Sequence, residues 1–176
     1  ILILILLMKT ICSKCVYDSD NTPGIFFDQD GVCNYCKQVE EMIQMYKTGS
    51  NEGEAIMYDK AEKIKKAGKG KKYDCIIGVS GGADSSYLCH LAVKKYGLRP
   101  LAVHFDNTFN SSIATENIRK VLQKLNIDLH THVIDNKEAA DIYRSFFKAS
   151  VRDFDVLLDI GIPELLYRVT KKYGLK

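Results

Sequence analysis

The stretch DCIIGVSGGADSSYLCHL, residues 74–91, combines an apolar run, a pair of glycines and the start of a helical pattern. The run CIIGVS predicts a buried strand over 75–80, and residues 84–95 predict a helix. A glycine turn between a strand and a helix lets backbone N–H groups approach a phosphate at the helix N-terminus. The stretch therefore predicts a strand–loop–helix unit with an anion site in its loop.

The same alternation continues along the chain. PLAVHF at 100–105 and LHTHVI at 129–134 predict two more strands, and apolar spacing predicts helices over 112–125, 137–148 and from Pro163 to Gly174. Such alternation with short connections predicts a doubly wound α/β domain, in which helices cover both faces of a parallel sheet. Three strands are few for such a sheet, so we expect it to be incomplete and the chain to be the first part of a longer protein.

Composition allows one ordinary domain with a small appendage. The 176 residues are 46% hydrophobic and 27% charged, with a net charge of +3. This mild charge does not indicate a nucleic-acid partner. Lysines do cluster between residues 60 and 72, most simply as a solvated helix face. The alternative is an electrostatic guide for nucleotides or RNA.

The first seven residues, ILILILL, differ from the rest of the chain. A bilayer crossing needs about 20 apolar residues, and the basic leader and cleavage site of a secretory signal are missing. We therefore expect residues 1–7 to be an extraneous or disordered leader before Met8. Without an export signal, the expected location is the cytoplasm, with no membrane partner and with structural disulfides disfavoured.

Three zones follow this leader. Residues 8–37 hold four cysteines and two glycine turns, residues 38–72 form a charged helical connector, and residues 73–176 form the α/β domain. In the first zone, the spacing C-x2-C, seventeen residues, C-x2-C can place four thiolates around Zn²⁺. Disulfides, a redox pair and an iron–sulfur cluster are the alternatives. The predicted zinc ligands are Cys12, Cys15, Cys33 and Cys36.

The loop offers the groups that a polyphosphate needs. Gly81 and Gly82 allow close backbone approach, the serines add hydroxyl donors, and Asp84 can hold Mg²⁺. Neither G-x-x-x-x-G-K-[ST] nor G-x-G-x-x-G is present in the loop. A plain strand-to-helix turn remains the structural alternative.

The motif S-G-G-A-D-S at 80–85 resembles the signature of the PP-loop ATP pyrophosphatases, which belong to the adenine-nucleotide α-hydrolase (HUP) type of Rossmann-like fold. The resemblance implies that ATP is cleaved between its α- and β-phosphates while a substrate is adenylated. Ser80, Asp84 and Ser85 would be catalytic, and backbone groups of Val103 to Phe105 would read adenine. His104 is a candidate base, but a structural or adenine-flanking role is the simpler interpretation. The implied nucleotide-binding residues are Gly78, Val79, Ser80, Gly81, Gly82, Ala83, Asp84, Ser85, Ser86, Val103, His104, Phe105 and Asp106.

A narrower resemblance covers residues 8–176, through the texts GVCNYC, GVSGGADSSYLCHLAVKKYGLRPLAVHFDN and NIDLHTHVID. These are similar to the N-acetyl sugar amidotransferases of bacterial lipopolysaccharide O-antigen and flagellin glycan synthesis. The resemblance implies ATP, Mg²⁺ and Zn²⁺ as cofactors, a nucleotide-linked N-acetyl sugar as substrate and ammonia from a partner glutaminase. Self-association is a further expectation. Ala83 offers no cation, so charge neutralisation must come from Mg²⁺ and from residues elsewhere.

Two other functions stay open: a tRNA thiolation enzyme, and a non-catalytic zinc-ribbon and nucleotide-binding scaffold. We expect Cys75 and Cys89 to be inert core thiols, although Cys89 would matter for sulfur transfer. Asp159 or Arg168 could touch substrate, with a solvated surface role as the alternative. Because a later strand and loop would complete the pockets of the amidotransferases, we expect residues 8–176 alone to be inactive.

Overall fold

The computed structural model describes residues 9–153 and 155–175. The predicted leader, residues 1–7, lies outside the described residues. Backbone contacts divide the chain into two compact units, Ile1–Met57 and Tyr58–Lys176. Among the described residues, none of the helices combines the length and apolar character of a membrane span.

The first unit consists of two cysteine-bearing turns and a helix. Antiparallel bridges join Ile11 to Asp18 and Phe27 to Cys33, and each bridge closes one turn. The Asp-Gly turn forms because Gly31 has a φ of 76°, a conformation that glycine adopts without steric cost. The helix begins directly after Cys33, whose side chain caps it.

Helices occupy the connector and alternate with strands in the second unit. A π-helical turn, Leu91–Lys95, directly follows the third helix. The helices are α1 Asn34–Tyr46, α2 Asn51–Ala67, α3 Ala83–His90, α4 Ser112–Leu125, α5 Asn136–Lys148 and α6 Val156–Lys172, and the strands are β1 Cys75–Gly78, β2 Pro100–Asp106 and β3 Leu129–Val133.

The three strands form one parallel sheet in the order β1-β2-β3. Cys75 lies opposite Pro100, and Ala102 lies opposite Leu129, so the ends of β1 and β2 come together at one edge of the sheet. This is the predicted α/β architecture. The parallel order also follows from the helical crossovers, since parallel strands cannot be joined by tight turns.

Helices pack on both faces of the sheet, as predicted. On one face, Ile77 and Ala102 join buried residues of α2, α3 and α4, such as Cys89 and Ile118. On the other face, alternate strand residues such as Leu101 pack against α6. Because strand side chains point alternately to opposite faces and helices cover both faces, β1 and the first half of β2, Pro100–Val103, carry no polar side chains other than the Cys75 thiol.

The last helix begins earlier than the sequence predicts. The predicted start was near Pro163, but α6 begins at Val156 and contains Pro163 within it. Proline disfavours a helical residue before it and lacks an N–H, yet burial outweighs this local cost. Leu165 and Val169 are almost fully buried against the sheet, and the two turns before the proline extend the same helix.

Candidate functional site

The glycine loop, residues 79–82, joins the end of β1 to α3. Gly81 has a φ of 80°, and a Cβ there would lie 2.2 Å from the carbonyl oxygen of Ala114. Asn117 Nδ2 also donates a hydrogen bond to the Gly81 carbonyl at 3.1 Å. The beginning of α4 therefore holds the loop in a conformation that only glycine can adopt at this position.

The loop hydroxyls lie close together. Ser80 Oγ is 3.4 Å from Ser85 Oγ, and Ser86 Oγ donates to the Gly82 carbonyl at 2.7 Å. Gly82 is the N-cap of α3 and has no side chain to cap the first turn. The first N–H groups of α3 are thus available for an anion.

Asp84 lies in the exposed first turn of α3. None of the residues that the structure describes forms an ion pair with its carboxylate. An exposed carboxylate beside a polyphosphate site has the oxygen chemistry that Mg²⁺ requires. The residues present therefore fit the predicted magnesium ion.

A cavity of about 330 Å³ opens beside the loop at the ends of β1 and β2. Its wall is mostly apolar, which suits a flat heterocycle. Six of the predicted nucleotide-binding residues line it, while Gly81 to Ser86, in the loop and the first turn of α3, and Asp106 lie outside the lining. The lining residues are Gly78, Val79, Ser80, Val103, His104, Phe105, Asn107, Asn110, Leu158 and Ile162.

His104 is buried and forms a hydrogen bond at each ring nitrogen. Nδ1 is 2.9 Å from the Val79 carbonyl oxygen, and Nε2 is 3.3 Å from Asn110 Nδ2. The carbonyl can only accept and the amide nitrogen can only donate, so Nδ1 carries the proton and Nε2 accepts. This pairing favours a structural role, linking β1 to the loop after β2, over a catalytic base.

Four cavity residues were not predicted. Asn107 and Asn110 belong to the loop after β2, where Asn110 Nδ2 also donates to Asp106 Oδ1 at 2.8 Å. Leu158 and Ile162 come from the part of α6 before Pro163. The text quoted above ends in Asn107 and could have indicated this residue, but Asn110 lies beyond it, and the two α6 residues precede the predicted start of the last helix near Pro163.

The four predicted zinc ligands form one cluster in the first unit, with all four sulfur atoms within 4.8 Å of one another. Cys12 Sγ is 3.9 Å from Cys36 Sγ, and Cys15 Sγ is 3.7 Å from Cys33 Sγ. Four thiolates placed tetrahedrally 2.3 Å from Zn²⁺ would be separated by about 3.8 Å. These separations exceed a disulfide bond of about 2.05 Å, and the cluster fits a structural Zn²⁺ ion.

Backbone N–H groups point at these sulfurs. Lys14 N and Cys33 N donate to Cys12 Sγ at 3.4 and 3.3 Å, and Cys36 N donates to Cys33 Sγ. Burial raises the pKa of Cys12, but these donors outweigh it and lower the pKa to about 6. These donors therefore favour the thiolate of Cys12, which is the form that binds zinc, whereas burial raises the pKa of Cys36 to about 12.

The remaining candidate residues lie apart from both sites. Burial raises the pKa of Cys75 to about 11 and also raises that of Cys89, as expected for inert thiols. Arg168 pairs with Glu164 at 3.0 Å on the exposed surface of α6, and Asp159 is exposed. Neither lines the cavity at the strand ends.

Fold and loop together define a nucleotide-binding α/β protein with a PP-loop. The NAD synthase family matches residues 56–157, more than half of the chain. The chain belongs to this family. The match does not include the cysteine cluster.

Two curated proteins are similar in sequence to this chain. An uncharacterised protein of Methanocaldococcus jannaschii is 30% identical over 165 residues, which are 94% of this chain and 56% of that protein. The glutamine-dependent NAD⁺ synthetase of Aquifex aeolicus is 30% identical over 96 residues, 53% of this chain and 16% of the synthetase. The chain thus spans about half of one curated relative and much less of the other.

One solved structure supports the fold. The glutamine-dependent NAD⁺ synthetase of Acinetobacter baumannii, in complex with ADP, aligns with a TM-score of 0.51 and 20% identity. The alignment covers 67% of this chain and 22% of that one. At this identity the likeness concerns the fold alone.

Proposed function

We propose that the second unit binds ATP for an AMP-forming amidation. One observation carries this proposal: the S-G-G-A-D-S loop lies directly beside an apolar cavity at the ends of β1 and β2. The cavity would hold adenine against Val103 to Phe105. The loop N–H groups and the hydroxyls of Ser80 and Ser85 would hold the phosphates, with Asp84 as the ligand of Mg²⁺.

The chemistry follows from cleavage at the α-phosphate. An amide oxygen of the acceptor attacks the α-phosphorus. The bond from this phosphorus to the oxygen that bridges to the β-phosphate breaks, and pyrophosphate leaves. Ammonia then adds to the carbon of the O-adenylyl imidate, and AMP leaves as the amidine forms and a proton is released. The chain contributes orientation and charge stabilisation, without a covalent enzyme intermediate, and Mg²⁺ would supply charge neutralisation at the phosphates.

For the acceptor we propose an N-acetyl group of a nucleotide-linked sugar, with ammonia from a partner glutaminase. Membership of the NAD synthase family supports ATP-dependent nitrogen transfer. The resemblance of residues 8–176 to N-acetyl sugar amidotransferases supports the sugar. We further propose a cytoplasmic location, self-association, and a Zn²⁺ ion that holds the two cysteine turns together, because so small a unit has little apolar core of its own.

Binding of ATP by the 176-residue chain tests the first step, with or without turnover. Titration calorimetry with MgATP should give a dissociation constant that rises at least about tenfold for Ser85→Ala and for Asp84→Asn. Ser145→Ala removes a surface hydroxyl on α5 that donates to the Asp141 carbonyl, so it is the matched control and should leave the constant unchanged. A chain that binds no ATP would refute the proposal.

The acceptor is tested separately. In the complete protein, which includes the segment expected beyond residue 176, pyrophosphate release should require MgATP, ammonia and a nucleotide-linked N-acetyl sugar, and mass spectrometry should detect the acetamidino product. Release that depends on tRNA and not on a sugar would refute the sugar acceptor and favour thiolation. The two inert thiols argue against thiolation for the residues that the structure describes.

A further inference from the structure

A second cavity of about 330 Å³ lies between α3, with its π-helical extension, and α4. It shares no lining residue with the cavity at the strand ends. We call it the α3–α4 groove. Its lining residues are Ser86, His90 and Lys94 on one side and Val121, Lys124 and Leu125 on the other.

The α3–α4 groove begins beside the glycine loop. Ser86 follows the PP-loop motif directly, and its hydroxyl donates to the Gly82 carbonyl at 2.7 Å. On the other side, Asn117 donates to the Gly81 carbonyl, and Val121 lies one turn further along the same face of α4. A ligand in the groove would therefore have one end at the loop.

The π-helical turn gives one wall an irregular geometry. Tyr96 N donates to the Leu91 carbonyl at 2.9 Å, a bond that spans five residues. A π turn rotates the residues within it relative to a regular α-helix, and such turns are frequent at functional sites. Lys94 lies inside this turn, so its direction differs from that of a lysine in a regular α-helix.

The ammonium groups that line the groove have no carboxylate partner among the described residues. The lining contains two ammonium groups and an imidazole but no carboxylate. Neither Lys94 nor Lys124 forms an ion pair with any residue in 9–153 or 155–175. Lys120, one turn before Lys124, by contrast pairs with Glu116 at 3.4 Å. Unpaired cations beside apolar walls favour an anion that carries an apolar or planar body.

We propose, on the basis of the function proposed above, that the α3–α4 groove binds the diphosphate of the nucleotide-linked acceptor. The two charges of a diphosphate ester match the two ammonium groups, and the His90 imidazole adds a hydrogen-bond donor. Val121 and Leu125 provide an apolar surface for the attached nucleoside. The cavity has the size of a small-ligand site, which favours a nucleotide over an RNA strand.

The distance along the helix fits this assignment. Lys94 follows Ser86 by eight residues, which is about 12 Å at 1.5 Å per residue. Side chains on a helix lean toward its N-terminus, so the ammonium group lies nearer to the loop than its own Cα. A diphosphate held there would leave the attached sugar free to extend toward the loop.

The test is a titration of the 176-residue chain with uridine diphosphate in low salt. Saturating α,β-methylene-ATP, a non-cleavable ATP analogue, blocks the loop so that the probe reports on the groove alone. The double variant Lys94→Gln/Lys124→Gln should raise the dissociation constant for uridine diphosphate at least about tenfold. The matched control is Lys148→Gln, at the exposed end of α5, which should change it less than twofold.

Each outcome decides the proposal. No binding of uridine diphosphate, or equal binding by the double variant, overturns it. So does a single-stranded RNA oligonucleotide that binds through these lysines when uridine diphosphate does not. If uridine diphosphate binds through these lysines but the chain does not bind ATP, the diphosphate site in the groove is supported and the proposed ATP site is refuted. ATP binding without uridine diphosphate binding does the reverse.

Discussion

Replacement of Gly81 by alanine tests whether the loop geometry depends on α4. A Cβ at this position would lie 2.2 Å from the Ala114 carbonyl oxygen and 2.7 Å from its carbonyl carbon. Both atoms are backbone, so neither can rotate away. The positive φ costs alanine about 1–2 kcal/mol, and the overlap adds about 1–3 kcal/mol as the start of α4 shifts. The expected loss in the free energy of unfolding is therefore about 2–5 kcal/mol.

Thermal unfolding followed by circular dichroism measures this loss. A domain of this size loses about 3–5 °C of melting temperature per kcal/mol, so Gly81→Ala should melt roughly 10–17 °C lower at the middle of the range. The adjacent control is Gly82→Ala, where φ is −79° and a Cβ would make an ordinary contact with Ser80 Oγ at 3.5 Å. It should lose less than about 1 kcal/mol. Equal losses in the two variants would refute the assigned loop geometry.

Three further predictions concern structural groups. Arg99→Met should lower the free energy of unfolding by about 3 kcal/mol, because it removes the charged partner, at 2.6 Å, of the buried Asp74 carboxylate. In denaturant titration the control Arg144→Met, whose ion pair is exposed, should lose less than about 0.5 kcal/mol. Similar losses in the two variants would contradict this reasoning. Burial raises the pKa of Asp74, but the hydrogen bonds from Arg99 outweigh burial and leave the pKa lowered. The stability that this pair contributes should be present above about pH 4 and should decline as the pH falls further. If Asp74→Asn loses as much free energy of unfolding in acid as the parent does, this prediction is wrong. Mass spectrometry of the native protein should find one zinc per chain in the parent and in Cys75→Ala but none in Cys33→Ser, and iron with labile sulfide would rule out the zinc assignment.

The sequence was most informative where local rules and packing agree. The strands β1 and β2 carry apolar residues on both faces, so they can be recognised as buried strands without knowing how they pair. The cysteine spacing likewise predicted a cluster that the folded chain forms. Each C-x2-C turn holds two sulfur atoms close together, so pairing the two turns brings all four sulfur atoms into one cluster. The identities of Gly81 and Gly82 predicted the loop, although only the structure separates their roles: Gly81 is required by φ and by Ala114, and Gly82 by neither.

The part that sequence could not predict depends on long-range contacts. Pro163 reads as the start of a helix from local preference, whereas Leu165 and Val169 bury their side chains against strands sixty residues earlier and hold the longer helix in place. This error hid the α6 wall of the cavity. The same holds for His104, since its tautomer depends on Asn110 and on the end of β1, neither of which is apparent from its own neighbours.

The match to the NAD synthase family leaves out almost all of the first unit of this chain, which carries the cysteine cluster. The match begins at residue 56, next to the division between the two units at Met57. The relative from Methanocaldococcus jannaschii, in contrast, aligns with 94% of the chain, and so with most of the cysteine unit as well. Because the proposed ATP site lies in the second unit alone, loss of zinc from Cys33→Ser should leave the affinity for MgATP within about twofold of the parent. If affinity falls with the metal, the cysteine unit takes part in nucleotide binding, and an ATP site confined to the second unit is refuted.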